Sequence, residues 1–225
     1  MTSIIKTMEK RTALVFGATG LVGNALVEEL CISDHYDLIK IFTRRKTDYE
    51  GRVKIKEFIA DFNNVREWSD LISGDDLFIC LGTTIRKAGS VSRMEEIDRD
   101  LPVNIASVAS GNSVKKLAVI SSLGANPDSS NSYLRIKGEM ERGLMKLNFS
   151  TLIILRPSIL LGNRNERRRG EEIAKIMMKF TGVFFVGKLA KYKGIEGRKV
   201  AKAMVKAINE KTGTEILESD AIQKI

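Results

Sequence analysis

Apolar residues in this chain come in short runs separated by stretches with helical spacing. The runs are Ala13–Phe16, Asp37–Thr43 (DLIKIFT), Val53–Ile59, Asp76–Leu81 (DLFICL), Lys116–Ser121 and Thr151–Leu155. Most are nearly continuous, as expected of strands buried on both faces of a parallel sheet; Val53–Ile59 alternates. Between them, Leu21, Ala25, Leu26 and Leu30 recur on one helical face. Val65–Ile72 reads as a short helix. Ser90–Ser110 is helical in pattern, with Pro102 forcing either a start near Asp100 or a kink. Asn131–Leu147 is a helix with Asn/Ser capping ahead of it. Strand and helix in alternation predict an α/β protein with a doubly wound parallel sheet. From Gly162 the rhythm breaks into a basic loop (Arg164–Arg169), a helix (Glu171–Phe180), a glycine-punctuated piece, a helix (Gly197–Asn209) and a short strand (Thr214–Leu217). One domain over residues 1–225 is expected, with 161–225 a small substrate-facing extension rather than an independent unit.

The first strand runs straight into Gly17-Ala18-Thr19-Gly20-Leu21-Val22-Gly23. Strand, glycine turn and helix in that order predict a dinucleotide site of the Rossmann type. Gly17 lets the chain turn sharply, Gly20 keeps side chains away from a diphosphate, and Gly23 lets the helix lie close on the sheet. The free N–H groups and the positive end of the helix dipole make the anion site. The second strand ends in Arg44-Arg45-Lys46, with no acid to hold a ribose 2′-hydroxyl. Arginines there suit a 2′-phosphate, so NADP(H) is expected over NAD. Asp61, just past the third strand, is placed either to meet the adenine amino group or to cap a turn. After the fourth strand, Leu81, Gly82 and Thr83 bring backbone and hydroxyl close to the cofactor.

Composition narrows the function. A chain of 225 residues with 43% hydrophobic and 29% charged residues fits a soluble globular protein. No run approaches the roughly 18 apolar residues of a membrane span, and the first ten residues lack the apolar core of a secretion signal. Two cysteines, Cys31 and Cys80, without metal-type spacing point to a reducing compartment, read as the cytoplasm. The one histidine, His35, leaves no His-based metal site or Ser-His-Asp triad. Proton chemistry therefore falls to Tyr, Lys, Asp or Glu. The net charge of +9 is dispersed, and aromatics are not interleaved with it, so a basic pocket for an anionic cofactor is expected rather than a specific nucleic-acid surface.

Tyr133 and Lys137 are four apart and share one helix face, and Ser121 and Ser122 end the strand before them. A lysine ammonium favours the phenolate and so adapts a tyrosine for acid–base work. With GATGLVG, Ser-Ser, Tyr133-Leu-Arg-Ile-Lys137 and Leu155-Arg156-Pro157, the chain resembles the short-chain dehydrogenase/reductase superfamily over nearly its whole length. Cys80-Leu81-Gly82-Thr83-Thr84 with Lys87-Ala88-Gly89, Asp98-Arg99-Asp100, Lys137-Gly138-Glu139 and Arg168 before Gly170-Glu171 are similar to its atypical branch, which includes the Tat-interacting-protein oxidoreductases. The resemblance implies NADP(H) on the glycine turn and Arg44/Arg45, with Leu81-Gly82 at the adenosine side. It implies Tyr133 and Lys137 as the catalytic pair, Ile159/Leu160 along the nicotinamide, and Arg168 reaching the cofactor; the carbonyl falls to one of Ser121 and Ser122, with Ser122 taken as the choice. In many relatives a helix asparagine completes a proton relay; that register here is Asp98, with Asn104 further on.

The expected activity is hydride transfer between NADP(H) and a carbonyl- or alcohol-type small molecule. The alternative is an NADP-binding regulatory or interaction protein with little or no turnover. No metal is expected, and the last two helices are candidates for a homodimer contact.

Overall fold

The computed structural model describes residues 10–162 and 192–225. The predicted basic loop with Arg168 and the helix Glu171–Phe180 lie outside the described residues. β1 (Arg11–Phe16), α1 (Leu21–Ile32), β2 (Tyr36–Thr43), β3 (Ile55–Ile59) and β4 (Asp76–Ile79) follow the expected order. The predicted helix at 65–72 is instead two 3-10 turns, Val65–Glu67 and Ser69–Leu71, with fully buried Trp68 between them. Next come α2 (Ile85–Ala88), α3 (Val91–Glu95), a π-helical turn (Glu96–Asp100) and α4 (Leu101–Gly111). β5 (Lys116–Ile120), α5 (Ser132–Leu144) and β6 (Thr151–Arg156) complete the central part. A small ribbon then pairs β7 (Leu160–Leu161) with β8 (Ile195–Glu196), ahead of α6 (Gly197–Glu210), β9 (Gly213–Glu218) and α7 (Ser219–Gln223).

The main sheet has seven strands in the order β3-β2-β1-β4-β5-β6-β9, every pair parallel. Both faces are covered, which explains the unbroken apolar runs. Ala13 and Val15 join Ile39, Ile41, Ile153 and Leu155 under α1 and α6 on one face. Leu14 and Phe16 join Phe42, Leu77, Val119 and Ile154 under α4 and α5 on the other. Phe16 stacks on its cross-strand neighbour Phe42 at 4.5 Å, and Phe42 on Phe58 at 5.3 Å, so one aromatic row levels the carboxyl ends of β1–β3. At the opposite end the Tyr36 hydroxyl donates to Asp76 Oδ2 at 2.5 Å, and Arg11 lies 2.8 Å from the same oxygen. Arg11 also donates to Asn209 of α6, tying that helix to the strand ends.

Pro102 shapes the helix that carries the π turn. It has no N–H for the Asp98 carbonyl, and the turn just before it widens, with the Leu101 N–H donating to the Glu96 carbonyl. Two other contacts are steric. Leu21, at the start of α1, is held between Gly162 and Gly197: a Cβ on Gly162 would lie 2.5 Å from its Cδ1, and one on Gly197 2.9 Å from its Cγ. Gly138 of α5 presses on the loop after β5, where a Cβ would lie 2.2 Å from the Pro127 nitrogen.

Gly138→Ala is expected to lower the melting temperature by about 3–10 °C, because backbone rather than a movable side chain opposes the new methyl. Gly111→Ala, where a Cβ would meet nothing within 4 Å, should leave the melting temperature unchanged or raise it. Thermal unfolding of the two variants side by side checks this.

Candidate functional site

The strand order reverses between β1 and β4, so the crevice at their carboxyl ends is where this architecture receives a ligand. Gly17 has φ +87° and lies so close to the β4 end that a Cβ would sit 2.7 Å from the Cys80 carbonyl carbon. A Cβ on Gly23 would sit 2.0 Å from the Gly17 oxygen, so turn, helix and neighbouring strand are in direct backbone contact. The Gly20 N–H closes the turn onto the Gly17 carbonyl at 3.0 Å. Gly20 offers α1 no side-chain cap, and the first turn holds no acid. The N–H groups of Leu21, Val22 and Gly23 therefore keep their capacity for an anion. Ala18 and Val22 are buried beneath, and Thr19 is exposed. A diphosphate fits this cradle.

At the end of β2, Arg44 and Arg45 are exposed, and neither side chain bonds to a described residue. Lys46 is instead paired with Glu50 at 2.5 Å. Glu57 secures the loop by accepting from the Thr43 and Thr47 hydroxyls at 3.2 and 2.7 Å. Asp61 is exposed and caps a turn, its Oδ1 accepting from the Asn63 N–H at 3.0 Å and side-chain amide at 2.9 Å.

The other end of the crevice is built on charge. Lys137 is 2% exposed, and its Nζ lies 2.8 Å from Oδ1 of fully buried Asp98. Asp98 Oδ2 accepts the Thr83 N–H at 2.8 Å. Burial pushes the lysine towards neutrality, but the charge of Asp98, with Tyr133 and Glu141, outweighs it and holds the ammonium above the ordinary lysine value. Tyr133 lies one turn earlier on α5, half-buried. Gly82 packs directly over this buried pair, where a Cβ would lie 3.4 Å from Asp98 Oδ1 and 3.7 Å from Lys137 Nζ. Leu81 is half-buried beside it, and Leu160 stands in the β7–β8 ribbon with Ile159 exposed next to it.

The two serines have different surroundings. Ser121 is buried and donates to Glu141, which Arg156 clasps at 2.9 and 2.5 Å. Ser122 is half-buried, its hydroxyl making only a 3.4 Å contact to the Leu123 carbonyl. Asn104 is exposed, so of the two relay candidates Asp98 is the one beside Lys137. The reading of the sequence missed Glu141 and Arg156 as supports. The signal was present: Glu141 stands four residues after Lys137, on the same helix face. Outside the crevice, Arg99 reaches Glu139 at 2.9 Å, and Arg135 reaches Glu95 at 3.3 Å. These pairs hold the π turn against α5. Among the described residues no acidic, Cys or His cluster could hold a metal, and no helix is long and apolar enough to cross a membrane.

Residues 17–211 match a family described as NAD(P)H-binding. Protein FMP52, mitochondrial, of Candida glabrata is 35% identical over 89% of this chain and 86% of its own. Protein HTATIP2 of Rattus norvegicus is 34% identical over 75% of this chain and 70% of its own. In fold, the chain is similar to Helicobacter pylori ADP-L-glycero-D-manno-heptose-6-epimerase, with TM-score 0.69, 18% identity and coverage of 97% and 80%. It is equally similar to MoeE5, solved with UDP-glucose and NAD, with TM-score 0.69, 16% identity and coverage of 92% and 75%. The FMP52 relatives of several yeasts are named mitochondrial, which overturns the cytoplasmic expectation. Cysteine number and the length of apolar runs do not specify a compartment. The matched family binds NAD(P)H, which makes a nicotinamide nucleotide the cofactor class of this fold. With the glycine cradle at the switch point and these relatives together, the chain belongs to the NAD(P)H-binding family, as an atypical short-chain dehydrogenase/reductase resembling the Tat-interacting proteins.

Proposed function

We propose that the protein is an NADP(H)-dependent oxidoreductase that reduces a carbonyl-type small molecule, with Tyr133 as general acid. The observation that carries this reading is the buried, charged Lys137 one helical turn from Tyr133, beside Gly82 at the same crevice as the α1 cradle. The coenzyme, when bound, supplies the hydride to the carbonyl carbon. Arg44 and Arg45, unpaired with the described residues, would take the 2′-phosphate, and the first-turn N–H groups of α1 the diphosphate. Ser122 would hold the carbonyl oxygen, leaving Ser121 to its structural partner Glu141. Tyr133 would then pass its phenolic proton to that oxygen, while Lys137 stabilises the phenolate left behind. An ammonium has three donors, so Lys137 can meet Asp98 and still reach ribose hydroxyls on the crevice side. The FMP52 names support a mitochondrial setting for this chemistry.

NADPH should bind more tightly than NADH, and replacing both Arg44 and Arg45 by Ser should cost about tenfold or more in NADPH affinity while sparing NADH. Fluorescence titration with the two coenzymes decides it; equal affinities in the unaltered protein would end the NADP reading. In a panel of carbonyl compounds scored by NADPH oxidation, Tyr133→Phe should lose turnover by about 100-fold or more with coenzyme affinity within a few-fold. A binder without turnover would show uptake of NADPH and no oxidation with any compound. Ser122→Ala should lower kcat without altering the melting temperature. Ser121→Ala should do the reverse, melting earlier because the buried Glu141 loses a donor.

A further inference from the structure

We infer that Asp98 is the positioning residue of the site: one carboxylate oxygen holds the Lys137 ammonium, the other holds the Thr83 N–H, and a single side chain thereby sets the lysine against the coenzyme loop. This rests on the assignment of Tyr133 and Lys137 proposed above, and adds a residue that touches neither substrate nor coenzyme. Asp98 is completely buried, so its charge is tolerable only with a partner, and Lys137 is that partner at 2.8 Å. The approach is close but off the direction of an aligned hydrogen bond, which leaves Oδ1 without a conventional donor. Lys137 is thus held by the Asp98 charge at close range, beneath Gly82 at the crevice floor.

The groups acting on Lys137 are Asp98 from the π turn and Tyr133 and Glu141 from its own helix. Glu141 is already neutralised by Arg156, and its hydrogen bond from Ser121 directs it away from that task. Asp98 is therefore the counter-charge that matters. Its place depends on the widened turn before Pro102 and on the Arg99–Glu139 and Arg135–Glu95 pairs outside. Removing its negative charge takes away the largest influence that raises the proton affinity of Lys137. Carbonyl reduction as proposed needs that ammonium, so its loss at lower pH reads directly in the alkaline limb.

The test is Asp98→Asn, which keeps the shape and an acceptor for the Thr83 N–H. At pH 7 it should melt about 6 °C or more below the unaltered protein. In the unaltered protein, Lys137 contributes stability below the unfolded lysine value, lost only as pH rises through its higher folded value. Between pH 7 and 9.5 that contribution stays constant. In Asp98→Asn the folded lysine value falls below the unfolded one, so folding releases a proton and stability rises with pH. The melting gap should narrow across this window; a gap independent of pH overturns the inference, with or without a known substrate. If Asp98→Asn alone does not fold, Asp98→Asn with Lys137→Met should melt above either single variant, and additive losses overturn the inference. With an active compound in hand, the alkaline limb of kcat should move down by about one to three pH units in Asp98→Asn. A uniform fall in rate with the limb in place would mean that Asp98 only props the fold. Absence of NADPH oxidation by the unaltered protein would instead defeat the oxidoreductase assignment, leaving the melting experiment to judge Asp98.

Discussion

The site depends on how closely two backbone turns approach each other where the sheet reverses. Gly17 and the Cys80 carbonyl are near enough that no side chain fits between them. That contact puts the α1 cradle and the Leu81–Thr83 loop into one crevice, and Thr83 in turn reaches Asp98 and through it Lys137. The glycine turn and Lys137 are therefore linked through a few short covalent steps and two hydrogen-bonded or ionic contacts. The aromatic row Phe16–Phe42–Phe58 keeps the neighbouring strand ends level, so Arg44 and Arg45 emerge at the height of the cradle.

Charge is distributed along this crevice by a simple rule. Where a phosphate is expected, Arg44, Arg45 and the first-turn N–H groups of α1 carry no described protein partner; where proton transfer is expected, every buried charge has one. Lys137 has Asp98, and Arg156 has Glu141. A low dielectric makes an unpaired buried charge costly, and makes the paired one strongly responsive to its partner.

Much of this was legible in the residues themselves. Strands buried on both faces announce themselves as unbroken apolar runs, and the observed ends fall within about two residues of those read from the pattern. The glycine turn, Arg44/Arg45 and the four-residue step from Tyr133 to Lys137 are local features and could be read locally. What escaped was non-local. Trp68 splits an apparent helix into two 3-10 turns because its indole is drawn into the core beside Phe16 and Phe62. Asp98 and Lys137 meet across two elements, and no periodicity reports that. The two-residue strands β7 and β8 are too short for any pattern. The separate duties of Ser121 and Ser122 follow from strand pleating at a strand end, which sequence adjacency conceals.

The grip of Gly162 and Gly197 on Leu21 has a thermodynamic consequence. Leu21 opens α1 directly after the glycine turn, whereas its two captors flank the β7–β8 ribbon beside Leu160. A compound that moved the ribbon against Leu21 would couple to the first turn of α1, and so to the dissociation constant of a nucleotide seated there. Reciprocity requires the nucleotide to alter that compound's own dissociation constant by the same factor. Each isotherm should therefore shift by that factor when the other ligand is present, whichever is added first, even when the two never touch.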